Sequence, residues 1–198
     1  MFHNISSAIL ERMNDLEDRD REEMSGQIEM QHFDKLRQIP PETGRFISLL
    51  AATSPKGQWI EIGTSAGYST LWLTLACMHL KTKITTFELD PKKITLAKKT
   101  FASAQVEQYV ELVEGNVFDY LTNYQDLSLC FLDTEKELYA DCYDIVIRNM
   151  VSGGILMADN VISHKSDLQP MIDYALKDAR VDSLVVPIGQ GILLCRKL

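Results

Sequence analysis

The chain has 198 residues, and 45% of them are hydrophobic, which is enough to fill the core of a single domain. Its formal charge of -8 works against broad binding to a nucleic-acid backbone, although it is compatible with a local basic patch. No apolar run approaches the length of a membrane span, and the first residues lack the basic and apolar regions of a signal peptide. We therefore expect no membrane contact and a cytoplasmic location.

The cysteines give no sign of a metal or redox site. They are scattered in mostly apolar surroundings, at Cys77, Cys130, Cys142 and Cys195. No Cys-x-x-Cys pair occurs among them. We expect buried free thiols in a reducing environment.

Residues 1–55 are predicted to form an N-terminal helical cover. The apolar spacing predicts helices at about 4–20, 25–37 and 42–53. Pro40 and Pro41 separate the last of these from the one before it. The helices could cover the sheet, a substrate pocket or a partner chain, and the sequence does not rank these three.

From residue 56 to residue 198, strands and helices alternate. Strands are predicted at 58–62, 83–88, 109–113, 127–132, 154–158, 182–187 and 192–196. Helical segments are predicted at 67–80, 91–104, 117–123, 135–150 and 166–179. The last two strands are joined by a short turn and must be antiparallel. The expected fold is α/β: a doubly wound, mainly parallel sheet of seven strands with an antiparallel C-terminal edge strand.

Three helix starts carry capping patterns. Asp90 before Pro91 is typical of an N-cap followed by proline at the first helical position. The spacing of a capping box occurs twice, in the pairs Thr134–Glu137 and Ser166–Gln169. These patterns predict helices that begin next to the capping residues.

The stretch 58–70 has the order strand, glycine turn and helix, which lets a backbone approach a nucleotide-like ligand. A dinucleotide site would have Gly-x-Gly-x-x-Gly. The spacing here is Gly63-x-x-x-Gly67, with Glu61 just before it. A carboxylate there would repel a pyrophosphate but suit a cationic ligand with an amino group, such as S-adenosylmethionine. The alternative for both glycines is an ordinary turn between a strand and a helix, without a bound ligand.

Polar residues also follow the later parallel strands. Glu88 stands where a ribose diol would lie, and Asn116 could bond an adenine edge. The next two strands end at Asp133 and at Asp159-Asn160. Since the carboxyl ends of parallel strands meet at one edge of the sheet, we expect these side chains to line one site.

Five motifs of the chain recur together in one known family. They are Glu61-Ile-Gly-Thr-Ser-Ala-Gly-Tyr-Ser69, Phe87-Glu-Leu-Asp-Pro91, Phe131-Leu-Asp-Thr-Glu-Lys-Glu-Leu-Tyr139, Gly153-Gly-Ile-Leu-Met-Ala-Asp-Asn160 and Pro187-Ile-Gly-Gln-Gly191. On these motifs, residues 41–198 resemble the class I S-adenosylmethionine-dependent O-methyltransferases of the catechol and caffeoyl-CoA type. The third and fourth motifs are typical of the metal-dependent branch.

The resemblance implies a methyl-donor site, a metal site and a base. It implies metal ligation by Asp133, Asp159 and Asn160, whose oxygens suit Mg²⁺ first and also Mn²⁺ or Ca²⁺. It implies that Lys136, together with Asp133, is catalytic. The residues expected to contact S-adenosylmethionine are Glu61, Gly63, Thr64, Ser65, Gly67, Tyr68, Ser69, Glu88, Leu89, Gly115, Asn116, Val117 and Asp133.

The chain departs from the family at three places. Asn116 stands where the family usually has Asp. Glu135 is an additional acid, which could bind a cation, meet a basic substrate or face solvent. The segment 161–186 is short for the family, so the acceptor site is expected to be open or completed by the N-terminal helices or a partner chain. His164 is a weaker candidate for the acceptor pocket.

The predicted function is metal-dependent methyl transfer to a hydroxyl of a small phenolic or catechol-like acceptor. A homodimer is expected because the family commonly forms one. One alternative is methylation of a hydroxylated nucleoside in tRNA, against which the acidic charge argues. The other is a regulatory protein that binds the cofactor without turnover.

Overall fold

The computed structural model describes residues 1–25 and 35–198. In this part of the chain seven strands form one sheet. They are β1 Gln58–Ile62, β2 Ile84–Glu88, β3 Val110–Glu114, β4 Leu127–Leu132, β5 Met150–Ala158, β6 Val181–Val186 and β7 Ile192–Lys197. Their order is β3-β2-β1-β4-β5-β7-β6. The strands β1 to β5 are parallel, and β7 is antiparallel to both of its neighbours.

The mainly parallel sheet with antiparallel C-terminal strands confirms the predicted fold class. One detail of the topology differs. The C-terminal strand β7 lies between β5 and β6, so β6 forms the edge of the sheet. The short turn before β7 makes β6 and β7 a hairpin, and a hairpin can join a sheet by either of its strands.

Helices cover both faces of the sheet. They are α1 Ser7–Met24, α2 Pro41–Ala51, α3 Tyr68–Leu80, α4 Pro91–Ala104, α5 Tyr139–Asn149 and α6 Lys165–Ala175. The first four pack on one core, and α5 and α6 pack on a second core on the other face. Alternate residues of β4 supply the two cores, with Phe131 in the first and Cys130 and Leu132 in the second. This alternation follows from the two-residue period of a strand.

The N-terminal helix α1 packs on the layer formed by α3 and α4. Arg12 donates a hydrogen bond of 2.9 Å to the hydroxyl of Thr100 on α4. Tyr68, at the start of α3, donates one to Glu17 on α1. The helix α1 therefore covers this helical layer, and its last turns, with Asp20, Glu23 and Met24, also line a cavity at the carboxyl ends of the strands.

Residues 35–40, which we call the strap, follow α1 and precede α2. Most of the helix predicted at 25–37 lies outside the described residues. Its described end, residues 35–37, is not helical. Leu36 is fully buried, and its backbone N–H donates to Glu23 of α1 at 2.7 Å. The strap is thereby fixed to α1.

Several predicted boundaries need correction. The segment 117–123 is two short 3-10 turns, and a third such turn occupies the first residues of the helix predicted at 135–150. The strand β5 begins at Met150, before the predicted 154–158, and its pairing with β4 contains a register shift near Gly153, which has a φ of 81°. A sequence pattern of Ser-Gly-Gly is typical of a turn, and here it forms a bulge inside a strand.

Both predicted capping boxes are wrong. The helix α5 follows Leu138 and α6 follows His164, and neither has a side-chain cap. A 3-10 turn intervenes after Thr134, and Gln169 bonds Asp173 on its own helix instead of reaching back to a cap. The cap predicted at Asp90 is confirmed, because its side chain accepts from Lys92 N at 2.7 Å.

All four cysteines are buried and free, as predicted. Among the described residues, no helix is long and apolar enough to cross a membrane.

Candidate functional site

The carboxyl ends of β1 to β5 enclose a cavity of about 590 Å³. It is lined by every residue expected from the sequence to contact the methyl donor, hold the metal or act in catalysis, with the exceptions of Glu61 and Gly67. Because these residues come from five different strand ends, the parallel sheet is what brings them together. Their individual roles stay predictions.

Glu61 lies beneath the cavity, and its carboxylate is bound by hydroxyl groups. It accepts hydrogen bonds from Ser69 at 2.6 Å, from Thr86 at 2.7 Å and from Thr70. Its burial raises the pKa of the carboxyl group to about 7, although the three hydroxyl donors act in the opposite direction. Ser69 itself lines the cavity. The structure thus makes Glu61 a support for Ser69, which the sequence pattern did not indicate.

The two glycines of the turn have different surroundings. A Cβ on Gly63 would lie 1.9 Å from the backbone oxygen of Asp133, so the ends of β1 and β4 approach closely only because this residue is glycine. Gly67 caps α3 with a φ of 85°, and a Cβ there would meet the ring of Phe101 at 2.7 Å. Gly63 therefore shapes the site, whereas Gly67 shapes the helix start.

Glu88 and Asn116 reach the cavity from β2 and from the segment after β3. The carboxylate of Glu88 accepts from the backbone N–H groups of Ser65 at 2.7 Å, Leu89 at 2.9 Å and Asp90 at 3.0 Å. The side-chain oxygen of Asn116 accepts from Phe118 N at 3.1 Å. Both side chains are therefore held in fixed orientations by backbone groups before any ligand binds.

Asp133 and Asp159 lie side by side and are joined by Asn160. The amide nitrogen of Asn160 donates to Asp133 Oδ1 at 2.8 Å and to Asp159 Oδ2 at 3.1 Å. Burial raises the pKa of both carboxyl groups, and the charge of Asp133 raises that of Asp159 further. A like-charge buried pair of this kind is stabilised by a cation.

One oxygen of the carboxylate pair lacks a partner. Asp159 Oδ1 is buried and has no hydrogen-bond partner among the described residues. An unpaired buried carboxylate oxygen is costly unless something binds it, and hard oxygen donors suit Mg²⁺, Mn²⁺ or Ca²⁺. No group of three or more His, Cys, Asp or Glu in the described part could hold a metal. The two carboxylates fit a cation that completes its shell with other ligands. The amide of Asn160 presents its nitrogen to them, so it would have to turn its oxygen toward the cation to become a ligand.

Lys136 stands at the edge of this cluster. Its Nζ donates to Thr134 O at 2.9 Å and to the hydroxyl of Tyr139 at 3.0 Å, and it lies 3.5 Å from Asp133 Oδ1. The side chain is largely buried, yet it lines the cavity. A cation in this position can stabilise a negative charge that develops beside the carboxylate pair.

The strap forms one wall of the cavity. Ser65 donates a hydrogen bond of 2.9 Å to the backbone oxygen of Leu36, and Lys93 donates one to the backbone oxygen of Lys35. Arg37 pairs with Glu135 at 3.0 Å, which joins the strap to the loop after β4. The strap, which is not helical, is therefore part of the cavity wall, and Glu135 serves as the ion-pair partner of Arg37. Completion of the acceptor site by the N-terminal helices or a partner chain stays a prediction.

The cavity is also lined by His164 and Gln190. The backbone oxygen of Gln190 accepts from the N–H groups of Ile162 and Ser163, at 3.0 and 3.1 Å. These bonds fix the short segment after Asn160 against the turn before β7. The His164 side chain is exposed at this rim.

Sequence reasoning missed several residues of the cavity wall. Arg37, Lys93 and Gln190 line it and were given no role. Their contacts join segments far apart in the chain, so no local pattern signals them. Tyr139 does not line the cavity but contacts Lys136, and it too was given no role, although its position three residues after Lys136 could have suggested a contact.

Comparison with known proteins gives a consistent result. A family model described as O-methyltransferase matches residues 21–198. A catechol O-methyltransferase of Niastella koreensis is 30% identical over 129 residues, covering 63% of this chain and 58% of that relative. The match thus spans somewhat more than half the length of this curated relative.

Solved structures share the fold. A methyltransferase of Podospora anserina bound to SAH superposes with a TM-score of 0.77 at 21% identity, covering 98% of this chain and 89% of the other. An O-methyltransferase of Bacillus cereus in complex with SAH has a TM-score of 0.75 at 18% identity, covering 94% and 91%. At these identities the likeness concerns the fold, and it confirms the Rossmann-like arrangement.

Proposed function

This chain belongs to the O-methyltransferase family, and on that premise we propose that it moves a methyl group from S-adenosylmethionine to a hydroxyl of a small phenolic or catechol-like acceptor. The observation that supports this most is the single cavity lined by polar residues from five strand ends. The cavity is lined both by Glu88 and Asn116, which are suited to bind a nucleoside, and by a carboxylate pair with a lysine.

The methyl donor is proposed to lie over β1, β2 and β3. S-adenosylmethionine, when bound, supplies an electrophilic methyl group on its sulfonium. Glu88 would accept hydrogen bonds from the ribose hydroxyls through its remaining lone pairs. The amide nitrogen of Asn116 would donate to the adenine edge, and Ser69 would hold the amino-acid end.

The metal is proposed to be held by Asp133, Asp159 and Asn160, with Mg²⁺ as the first choice. A divalent cation there would lower the pKa of the acceptor hydroxyl. The support for this comes from the unpaired oxygen of Asp159 and from the raised pKa values of the two acids.

In the proposed transfer, a bond forms between the acceptor oxygen and the methyl carbon as the bond from that carbon to sulfur breaks. The electron pair of the broken bond stays on sulfur, which becomes a neutral thioether. The hydroxyl proton passes to solvent, and the ammonium group of Lys136 would stabilise the oxyanion that is left. The chain contributes mainly by holding the two reactants in line and by excluding water.

Activity assays test the proposal. We expect purified protein to methylate members of a catechol panel, to lose activity with a chelator and to regain it with Mg²⁺ or Mn²⁺. Asp159→Ala should lower kcat at least about 100-fold, in the range seen when a group that stabilises transition-state charge is removed. The matched control Asp173→Ala changes an exposed acid of α6 and should retain activity.

Two results would contradict parts of the proposal. Full activity in the metal-free protein would exclude the metal-assisted mechanism. Calorimetric binding of S-adenosylhomocysteine without transfer to any hydroxyl acceptor would favour a regulatory protein. The homodimer and the cytoplasmic location stay predictions, and light scattering on purified protein tests the first of them.

A further inference from the structure

The hydroxyl of Tyr139 lies between Lys136 and the end of β5. Tyr139 is the first residue of α5 and is fully buried. Lys136 Nζ donates to this hydroxyl at 3.0 Å, and the hydroxyl donates to the backbone oxygen of Asp159 at 3.2 Å. One hydroxyl group therefore joins the lysine to the strand end that carries the carboxylate pair.

The direction of these hydrogen bonds is fixed by chemistry. A tyrosine hydroxyl has one proton to donate, and a backbone carbonyl can only accept. Tyr139 therefore gives its proton to the backbone oxygen of Asp159 or to the carboxylate of Asp133, and in either arrangement a lone pair of its oxygen faces Lys136. The two other acceptors around Lys136 Nζ are Thr134 O at 2.9 Å and Asp133 Oδ1 at 3.5 Å. Three acceptors match the three donors of an ammonium group, and they hold it in one place.

We propose that Tyr139 is a positioning residue that holds Lys136 beside Asp133, an inference that rests on the proposed methyl transfer. Tyr139 is absent from the described residues that line the cavity, so it acts through Lys136. Its ring centroid also lies 4.8 Å from Lys136 Nζ, a distance that permits a cation–π contact. Tyr139→Phe keeps the ring and removes only the hydroxyl.

A double-mutant cycle tests the coupling. Tyr139→Phe is expected to lower kcat about tenfold, as for the loss of one hydrogen bond to a charged group, and to leave the dissociation constant of S-adenosylhomocysteine unchanged. In a Lys136→Met background, the same substitution should lower kcat no further. An equal fall in both backgrounds would overturn the inference, because Tyr139 would then act independently of Lys136.

Tyr143→Phe is the matched control. Tyr143 is on the same helix and is also fully buried, but its hydroxyl donates to Asp178 at 3.1 Å, outside the cavity lining. This variant should lose stability and keep kcat. If it lowered kcat as much as Tyr139→Phe does, the effect of Tyr139 would be structural and the inference would be wrong.

A second readout does not depend on activity. Acetic anhydride acetylates lysine side chains, and peptide mass spectrometry can compare the acetylation rate of Lys136 with that of the exposed Lys165. We expect Tyr139→Phe to raise the relative rate at Lys136 by about threefold or more, since one hydrogen bond no longer holds the amine, and Tyr143→Phe to leave it unchanged. An unchanged rate in Tyr139→Phe would overturn the inference. A raised rate in a protein that methylates no acceptor would support the positioning role while contradicting the proposed function.

Discussion

The carboxyl group of Glu61 is buried in a cluster of hydroxyl groups, away from the cavity that its sequence motif was expected to serve. Three hydroxyl donors partly offset the cost of its charge, yet burial remains the larger influence and raises its pKa from 4.5 to about 7. A group that takes up its proton more readily in the folded state than in the unfolded state links folding to pH.

The sign of this linkage follows from the raised pKa. Between about pH 4.5 and about pH 7, the folded carboxyl group keeps its proton while the unfolded one has lost it. The stabilisation is complete below the unfolded pKa and is lost as the pH rises through the folded one. We expect the wild type to lose up to about 3 kcal/mol of unfolding free energy across this window, relative to Glu61→Gln.

Urea denaturation at a series of pH values measures this difference. Ser69→Ala is the control, because it keeps the titrating carboxyl group and removes one donor that lowers its pKa. The unfolding free energy of Ser69→Ala should fall with rising pH at least as much as that of the wild type. Parallel stability curves for the wild type and Glu61→Gln would show that Glu61 is ionised in the folded protein throughout.

At the scale of elements, the close approach of β1 and β4 depends on Gly63. Gly63→Ala would combine a strained φ of 99° with a Cβ 1.9 Å from the backbone of Asp133. Gly153 has a similar φ of 81°, but the nearest atom to a Cβ there is Arg196 Nη2 at 3.4 Å. The two positions therefore separate backbone strain from a steric clash.

We expect Gly153→Ala to cost about 1–2 kcal/mol of unfolding free energy, the cost of left-handed backbone alone. Gly63→Ala should cost at least about 3 kcal/mol, since it must also displace the end of β4. Chemical denaturation of both variants measures the difference. Equal losses would mean that the loop after β4 moves aside easily and does not hold Asp133 in place.

The elements themselves were largely predictable from sequence. The limits of β1, β4 and α4 were predicted to the residue, because apolar runs and the Asp90-Pro91 pattern have local causes. The bulge in β5 was not predictable, since it depends on pairing with β4. Capping patterns failed where a 3-10 turn came between the predicted cap and the helix.

The set of residues at the site was also largely predictable from sequence, because it follows from the parallel sheet. Parallel strands deliver their carboxyl ends to one edge, so the residues after five strands could be expected to meet. The strap could not be foreseen, because Leu36 reaches Glu23 and Ser65 through backbone groups that any residue has. The support of Ser69 by Glu61 depends on packing between β1 and α3, which the sequence does not specify.

For the whole molecule, the net charge argues for a small acceptor and against tRNA. The net charge is -8 and the pI is about 5.0, so the molecule as a whole repels a polyphosphate backbone. Within the cavity, Arg37 is paired with Glu135, and Lys136 faces Asp133. The cations nearest to the carboxylate pair are thus partly neutralised by acids of the chain itself.

We therefore expect bulk tRNA to bind more weakly than about 100 µM at physiological salt, the weak limit of non-specific binding by proteins that bind nucleic acids. Fluorescence anisotropy with labelled tRNA at several salt concentrations measures this, and a basic nucleic-acid-binding protein serves as the positive control. Tight binding that weakens steeply with salt would reveal a basic surface that outweighs the net charge. Radiolabel transfer to tRNA but to no catechol would then assign the cavity to a nucleoside.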